Sequence, residues 1–465
     1  MIDMRRTTLT ALALVLGGCA ELAPYRASMH DPSIEAAWVE LGEEGASIAR
    51  VVTRSGACPL LLQDGVEVAM AVRAPAARLP QRPTASKPKV SKPSEFPVLT
   101  CEATLRKGVR SARVGGRALP VPKARLTRIV VIGDSGCRLK KADKAYQACN
   151  NAPEWPLRTV SESAAAYAPD LVIHVGDYHY RENPCPEGNA TCAGSPWGYG
   201  WDTWKADFFE PAAPLLAAAP WVVVRGNHEQ CDRAGQGWWR FLDPRPFVAG
   251  RDCNDEKNDF TGDYSAPYRV PLGDGAQLVI FDSASAPNKA LKPGPEAQLY
   301  RAQVEQANAL ALGATESVFV LHHPILGFAP RDSKAPADIQ AYAGNAALQA
   351  IMKEVNGDAL FPRNTTLTLA GHVHLFEAIG FTSGHPAQVV AGIGGSSLDA
   401  ALPAQLWPAT RPYPAATIDT YTTLTDFGFL TMERDASRWS MTFRMPSGAL
   451  RQRCSLDAGK VSCGR

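Results

Sequence analysis

Five short polar motifs run along this chain in a fixed order: Gly133-Asp134-Ser135-Gly136, Gly176-Asp177-Tyr178-His179-Tyr180, Gly226-Asn227-His228-Glu229, His322-His323-Pro324 and Gly371-His372-Val373-His374. Almost every one directly follows a short apolar, β-branched run. That placement puts Asp, Asn, His and Tyr side chains at the ends of successive strands, where open α/β sheets build their sites. Together the motifs carry enough hard-oxygen and imidazole donors for two metal ions.

The pattern around them alternates between strand and helix from about residue 123 onward. Apolar strand candidates lie at 128–132, 171–175, 221–224, 278–281, 318–321, 366–370 and 388–391. Helical spacing marks 157–168, 201–218, 296–312 and 339–354, with Leu299, Val304, Ala307 and Leu310 on one face. Residues 428–433 and 439–444 read as a hairpin. No internal repeat is evident. A chain of 465 residues, 45% of them apolar, has length for two or three domains. Residues 19–122 read as a small β-rich N-terminal domain, and 123–465 as the catalytic domain. Inside the first, 74–97 is rich in Pro, Lys, Ser and Arg and reads as a disordered surface loop. Its basic residues read as a solvated face, with contact to anionic lipid as the alternative.

The first 18 residues do not belong to the fold. Arg5 and Arg6 precede an apolar stretch at 9–16, and small residues then lead to Cys19. This is a secretory signal, too short to span a membrane. It resembles the lipobox of bacterial lipoproteins, which implies lipidation of Cys19 and anchoring to a membrane. Ala20, not Asp, follows the cysteine, which in that family favours the outer membrane. The chain is therefore expected to be exported, to the periplasmic face or the outer membrane. Ten cysteines remain, an even set that reads as disulfides in an exported chain. Neighbour pairing is the simplest arrangement: 58–101, 137–149, 185–192, 231–253 and 454–463. A zinc-thiolate site is disfavoured, because no Cys-x-x-Cys occurs. The formal net charge is only +2, so no nucleic-acid partner is expected.

Two cations that grip one phosphoryl group sit about 3.5–4 Å apart and need an anionic bridge. Asp177, in the middle of the motif set, is the candidate bridge. Asp134 adds a second carboxylate, Asn227 an amide oxygen, and His322, His372 and His374 add imidazoles. In an extended segment His372 and His374 would share a face; a turn there would aim them at different metals. Each motif alone is weak, and only their ordered conjunction is specific.

That conjunction resembles the calcineurin-like metallophosphoesterase superfamily, and within it the purple acid phosphatase-like branch. Many superfamily members carry a ligand His where this chain has Gly136. Tyr180, three residues after Asp177, matches the branch's Gly-Asp-x-x-Tyr and replaces that imidazole with a phenolate, a strong ligand for ferric iron. The resemblance covers roughly residues 125–445. It implies an α/β fold, a β-sandwich flanked by helices (αββα). It implies two metal ions: Fe(III) on Asp134, Asp177, Tyr180 and His374, and a divalent Fe, Zn or Mn on Asp177, Asn227, His322 and His372. The family's His-x-Pro selects His322 over His323, and Phe319 stands where the family usually has Val. His228 resembles the outer-sphere, catalytic histidine that contacts phosphate. Gly392–Gly395 looks like a rim turn after the last motif.

The activity so implied is hydrolysis of phosphate monoesters by an acid phosphatase-like enzyme, through a metal-bound hydroxide, on a phosphorylated small molecule. A phosphodiesterase acting on nucleotides or phospholipid headgroups uses the same metals, and an inactive surface binding lipoprotein is the reading from another class. The family's further histidines after the fourth motif are missing, since none lies between His323 and His372. His323 or His228 could take their place in protonating the leaving group. Trp238, Trp239 and Arg233 lie in loops expected to frame the pocket, where core packing is the alternative for the tryptophans.

Overall fold

The computed structural model describes residues 30–330, 342–406 and 410–464. The signal segment and Cys19 lie outside the described residues. Two sheets, of eleven and seven strands, stack face to face. At the centre of the first, Arg128–Ile132, Leu171–His174 and Trp221–Val223 run parallel. At the centre of the second, Ala276–Ile280, Glu316–Val320, Thr365–Ala370 and Ala387–Ala391 run parallel. Side chains alternate across each strand. Ile129, Val131, Leu171 and Ile173 point inward against Leu278, Val318, Val320, Leu367 and Leu369. Val130, Ile132 and Val172 point outward to an aromatic layer with Trp204, Phe208 and Trp221. The helices Pro295–Ala311 and Ala346–Asn356 cover the outer face of the second sheet. The sandwich flanked by helices is thus the architecture expected.

Six of the seven expected strands shift by one or two residues at an end, and Arg128–Ile132 matches at both. The stretch 201–218 does not form one helix. It divides into Trp201–Trp204, a π turn at Lys205–Phe209 and Ala213–Leu216. The helix expected from 339 begins at Ala346, capped by Asn345, whose side chain accepts the Leu348 N–H at 3.0 Å. Residues 339–341 lie outside the described residues. The expected hairpin is Phe429–Asp435 with Arg438–Arg444, which extends the first sheet beside Arg128–Ile132. Among the described residues no helix is long and apolar enough to cross a membrane.

The N-terminal stretch is β-rich, and four of its strands continue the large sheet. Ile34–Leu41 joins that sheet parallel to Trp221–Val223, and Ser47–Thr53, Leu99–Thr104 and Ala71–Ala74 follow in order. A four-stranded sheet packs on them around Val39, Val51, Leu61 and Val114. The Pro/Lys segment departs from the expected free loop. Arg82 pairs with Asp259 and donates to the Cys253 carbonyl, and Ala85 N–H donates to Asp232 O at 2.8 Å. Asn183 donates to Ser86 Oγ and Val90 O, at 2.9 and 3.0 Å. The physical reason is that polar groups at the segment's centre find partners on the catalytic loops, while Phe96 and Val98 at its end are buried beside Trp201 and Phe241. Composition alone does not register such partners.

All five cysteine pairs form as neighbour pairing anticipates: Cys58–Cys101, Cys137–Cys149, Cys185–Cys192, Cys231–Cys253 and Cys454–Cys463. Three of them close loops that directly follow the first, second and third motifs.

Candidate metal centre

Each motif begins where a parallel strand ends, and the five loops converge at that edge of the sandwich. Asp134, Asp177 and His372 adopt φ of 54, 60 and 70°, in the left-handed region. Non-glycine residues held there carry strain and concentrate at functional sites. The loops brace one another. Asp134 N–H donates to Gly176 O and Ser135 N–H to Asp177 O, at 2.9 and 3.0 Å, and Gly371 N–H donates to His322 O at 3.0 Å. Gly226 has no alternative, since a Cβ there would lie 2.1 Å from Asp177 Oδ1. The turn after the last motif packs on the first loop, with Gly394 N–H on Gly133 O and Ser396 N–H on Asp134 O, both 2.8 Å.

The seven expected ligand residues meet in two groups that share Asp177. In the first, the Tyr180 hydroxyl lies 3.1 Å from Asp134 Oδ1, 2.9 Å from Asp177 Oδ2 and 2.8 Å from His374 Nε2. In the second, Asn227 Oδ1 lies 3.1 Å from His322 Nε2 and 3.0 Å from His372 Nδ1. His322 Nε2 is 3.3 Å from Asp177 Oδ2. Ligand atoms of Asp177, His322 and His372 all fall within 4.8 Å of one another. His372 and His374 separate as the turn alternative requires. The chain doubles back at Gly371–Leu375, sending one imidazole to each group.

The donor chemistry fits cations. His322 Nδ1 lies 2.8 Å from the Val175 carbonyl, and His374 Nδ1 lies 2.6 Å from the Ser397 carbonyl. A carbonyl only accepts, so each Nδ1 carries the hydrogen and each neutral ring aims the lone pair of Nε2 inward. Those lone pairs face carboxylate and amide oxygens and the Tyr180 hydroxyl, which donates to Asp134 and Asp177 and, once ionised, would complete an assembly of acceptors suited to a cation. Without a cation, protons take that role. Burial disfavours charge on His322, yet the Asp177 carboxylate pushes its pKa up to about 9. Burial works against Asp177 too, and His322 holds it well below the usual carboxylate range. Burial, with Asp177 and Asp134 beside it, pushes the Tyr180 phenol well above its ordinary value.

His228 packs its ring 3.8 Å from that of Tyr180, with Nε2 3.9 Å from Asp177 Oδ2. Its Nδ1 lies 2.9 Å from the His179 carbonyl and 3.1 Å from Glu182, which also pairs with Arg233. Burial and the Arg233 charge lower its pKa to about 3, so the ring is neutral. Arg233 is therefore bound into this array. Trp238 and Trp239 are core residues: their indoles donate to Asp243 and to Gly262 O. His323 projects beside His372, ring centroids 4.2 Å apart, and both line a cavity of about 320 Å³ with Asn288, Lys289, Phe328 and Val373.

Sequence reasoning assigned no role to Glu229, Glu182 or Asp207. Glu229 belongs to the third motif, but its partners lie 50 residues back on the second loop. Asp207 falls in a run with helical spacing, and nothing local marks it as buried.

A family model described as calcineurin-like phosphoesterase matches residues 127–376. Two solved structures share the fold. A purple acid phosphatase, PPD1 from yellow lupin (Lupinus luteus) seeds, is 16% identical, with a TM-score of 0.53 over 89% of this chain and 72% of that one. PhoD is 13% identical, with a TM-score of 0.50 over 93% of this chain and 92% of that one. No curated protein matches this chain by sequence.

Proposed function

The chain belongs to the calcineurin-like phosphoesterase family, and from that premise we propose that it hydrolyses phosphate monoesters at a dinuclear centre of the purple acid phosphatase kind. The observation that carries this reading is the Tyr180 hydroxyl, set among Asp134, Asp177 and His374 at 2.8–3.1 Å. A phenolate in a carboxylate-rich set favours ferric iron. The second set, with two imidazoles, an amide and one carboxylate, suits a divalent ion.

Asp134, Asp177, Tyr180 and His374 would hold one ion, and Asp177, Asn227, His322 and His372 the other. A bound pair of this kind supplies Lewis-acid charge and makes water acidic enough to act as a nucleophile near neutral pH. The chain's own groups do the positioning. Asp177 belongs to both sets and would supply negative charge between the two ions. The Val175 and Ser397 carbonyls fix the tautomers of His322 and His374. His228 is tied through Nδ1 to the His179 carbonyl, and with both ring nitrogens protonated its Nε2 would donate to a phosphoryl oxygen. The cavity beside His372 would take the alcohol portion of the ester, and its volume suits a compact group.

The protein would lie outside the cytoplasm, lipid-anchored through Cys19. Five disulfides support an oxidising compartment.

The test compares hydrolysis of an aryl phosphate monoester and its diester by metal-loaded protein, with Asn227→Ala alongside. Monoester turnover that falls by orders of magnitude in Asn227→Ala is expected. Faster diester cleavage would establish the phosphodiesterase alternative, and full activity in Asn227→Ala would overturn the scheme.

A further inference from the structure

Gly136 occupies the position where relatives with the other ligand pattern carry a histidine, and its surroundings show why no side chain fits. A Cβ there would lie 2.7 Å from Tyr178 O, 2.9 Å from Tyr180 N and 3.0 Å from Asp207 Oδ2. Two of those neighbours are backbone and cannot swing aside. The third, Asp207, reaches in from the π turn Lys205–Phe209. Single π turns inside helices are frequent at functional sites, because the extra residue redirects a side chain.

The Asp207 carboxylate is fully buried, and both its oxygens are satisfied. Oδ2 accepts the N–H groups of Tyr180 and Arg181, at 2.7 and 3.0 Å. Oδ1 accepts the Cys137 N–H at 3.0 Å and pairs with Arg181 Nε at 2.6 Å. One side chain therefore ties the loop after Asp134 to the loop carrying Tyr180. Leu139 N–H, on Tyr180 O at 3.0 Å, adds a parallel tie. Arg181 balances the carboxylate charge, so the clamp is neutral toward the metal cluster.

We infer that Asp207 is a positioning residue for the tyrosine ligand: with Gly136 it forms a clamp that sets the Tyr180 oxygen among Asp134, Asp177 and His374. The inference rests on the proposed metal reading. An outer partner of a ligand is worth about 10–100-fold in metal affinity. Here the partner holds the ligand's backbone, so its loss should weaken the Tyr180 set and spare the Asn227 set.

The test titrates Zn(II) into the metal-freed full chain, reading stoichiometry, the two affinities and the ultraviolet difference band of tyrosinate. Wild type should bind two equivalents and develop the band, and Tyr180→Phe should lose the band. Asp207→Asn turns an amide NH2 toward two N–H donors. It should lower one affinity about 10–100-fold and abolish the band while the other affinity holds. Gly136→Ala, which wedges the clamp from the opposite side, should reproduce that pattern and decides the matter if Asp207→Asn does not fold. Unchanged affinities and band in a folded variant, or equal weakening of both sets, would overturn the inference. A wild-type chain that binds no zinc, or whose band survives Tyr180→Phe, would instead overturn the metal reading beneath it.

Discussion

Glu229 holds the backbone of Asp177, the proposed bridge between the two ions: its Oε2 accepts the Asp177 N–H at 3.1 Å. The same oxygen accepts the Gly226 N–H at 3.1 Å, and Oε1 accepts those of Tyr178 and His179, at 2.9 and 3.2 Å. One carboxylate thus collects four backbone donors from two motif loops. Only a group with two accepting oxygens can do so. Glu229→Gln keeps the shape but turns an NH2 toward two N–H groups. Metal affinity should fall about 10–100-fold, with the Asp177-containing sets weakened together. Competition against a chelator measures it. Unaltered affinity would show that Glu229 merely fills space.

Tyr180 separates an iron centre from a generic two-zinc or two-manganese one. If the first set holds Fe(III), the purified protein should carry a violet or pink charge-transfer band. Tyr180→Phe removes the oxygen and leaves the ring, so the band should vanish while the fold persists. Metal content should drop from two ions per chain toward one. Visible spectra and elemental analysis on both proteins suffice. A colourless, iron-free, active wild type would assign the centre to another metal pair.

The parallel strands and the order of the candidate ligands were legible because short β-branched runs stop at Gly-Asp, Gly-Asn and His-His, whereas their division between two sets followed from the family resemblance. Local pattern carries the strands and the order. The clamps were not legible. Asp207 and Glu229 act on loops 26 to 70 residues away, and burial of an acid leaves no periodic trace. The Pro/Lys segment misled for a related reason: its composition predicts poor burial, while its order comes from Asn183, Asp232 and Asp259 on other loops. The break in 201–218 reflects Asp207 drawn inward at the π turn and prolines at 211 and 214, against a favourable helical period.

Glu377 predicts a pH dependence of stability away from the site. It is buried in the strand Phe376–Phe381, and no cation pairs with it among the described residues. Burial pushes its pKa up to about 8, against one hydrogen bond from the Phe328 N–H. An unfolded glutamate titrates near 4.5. Between those values the unfolded chain releases a proton that the folded chain keeps, so this residue makes stability fall as pH rises from about 4.5 to about 8. Glu377→Gln removes the penalty. Its urea midpoint should exceed that of wild type at pH 9 and approach it at pH 4.5. A gain of equal size at both pH values would mean that packing, not ionisation, accounts for the difference.

The N-terminal strands do more than lengthen a sheet, and Arg73 shows how. Its buried guanidinium donates to Trp239 O, Arg240 O, Asp243 O and Arg245 O, and it pairs with Glu102 at 2.9 Å. Arg50 adds Phe241 O at 2.7 Å and Asp243 O at 2.6 Å. These carbonyls belong to the helix Gly235–Phe241 and the turn after it, a few residues past His228 and Arg233. The N-terminal unit therefore supplies the donors that the end of this helix lacks. Arg73→Met keeps most of the volume but removes the arginine donor from Trp239 O, Arg240 O and Arg245 O, while Asp243 O and the Glu102 carboxylate keep Arg50. Leaving a buried carbonyl without a donor costs about 1–3 kcal/mol. The denaturant midpoint should fall accordingly, and hydrogen exchange at 235–245 should rise before that of the central strands. A variant with the wild-type midpoint would show that sheet pairing between Glu40 and Trp221, and not the arginine, docks the N-terminal unit.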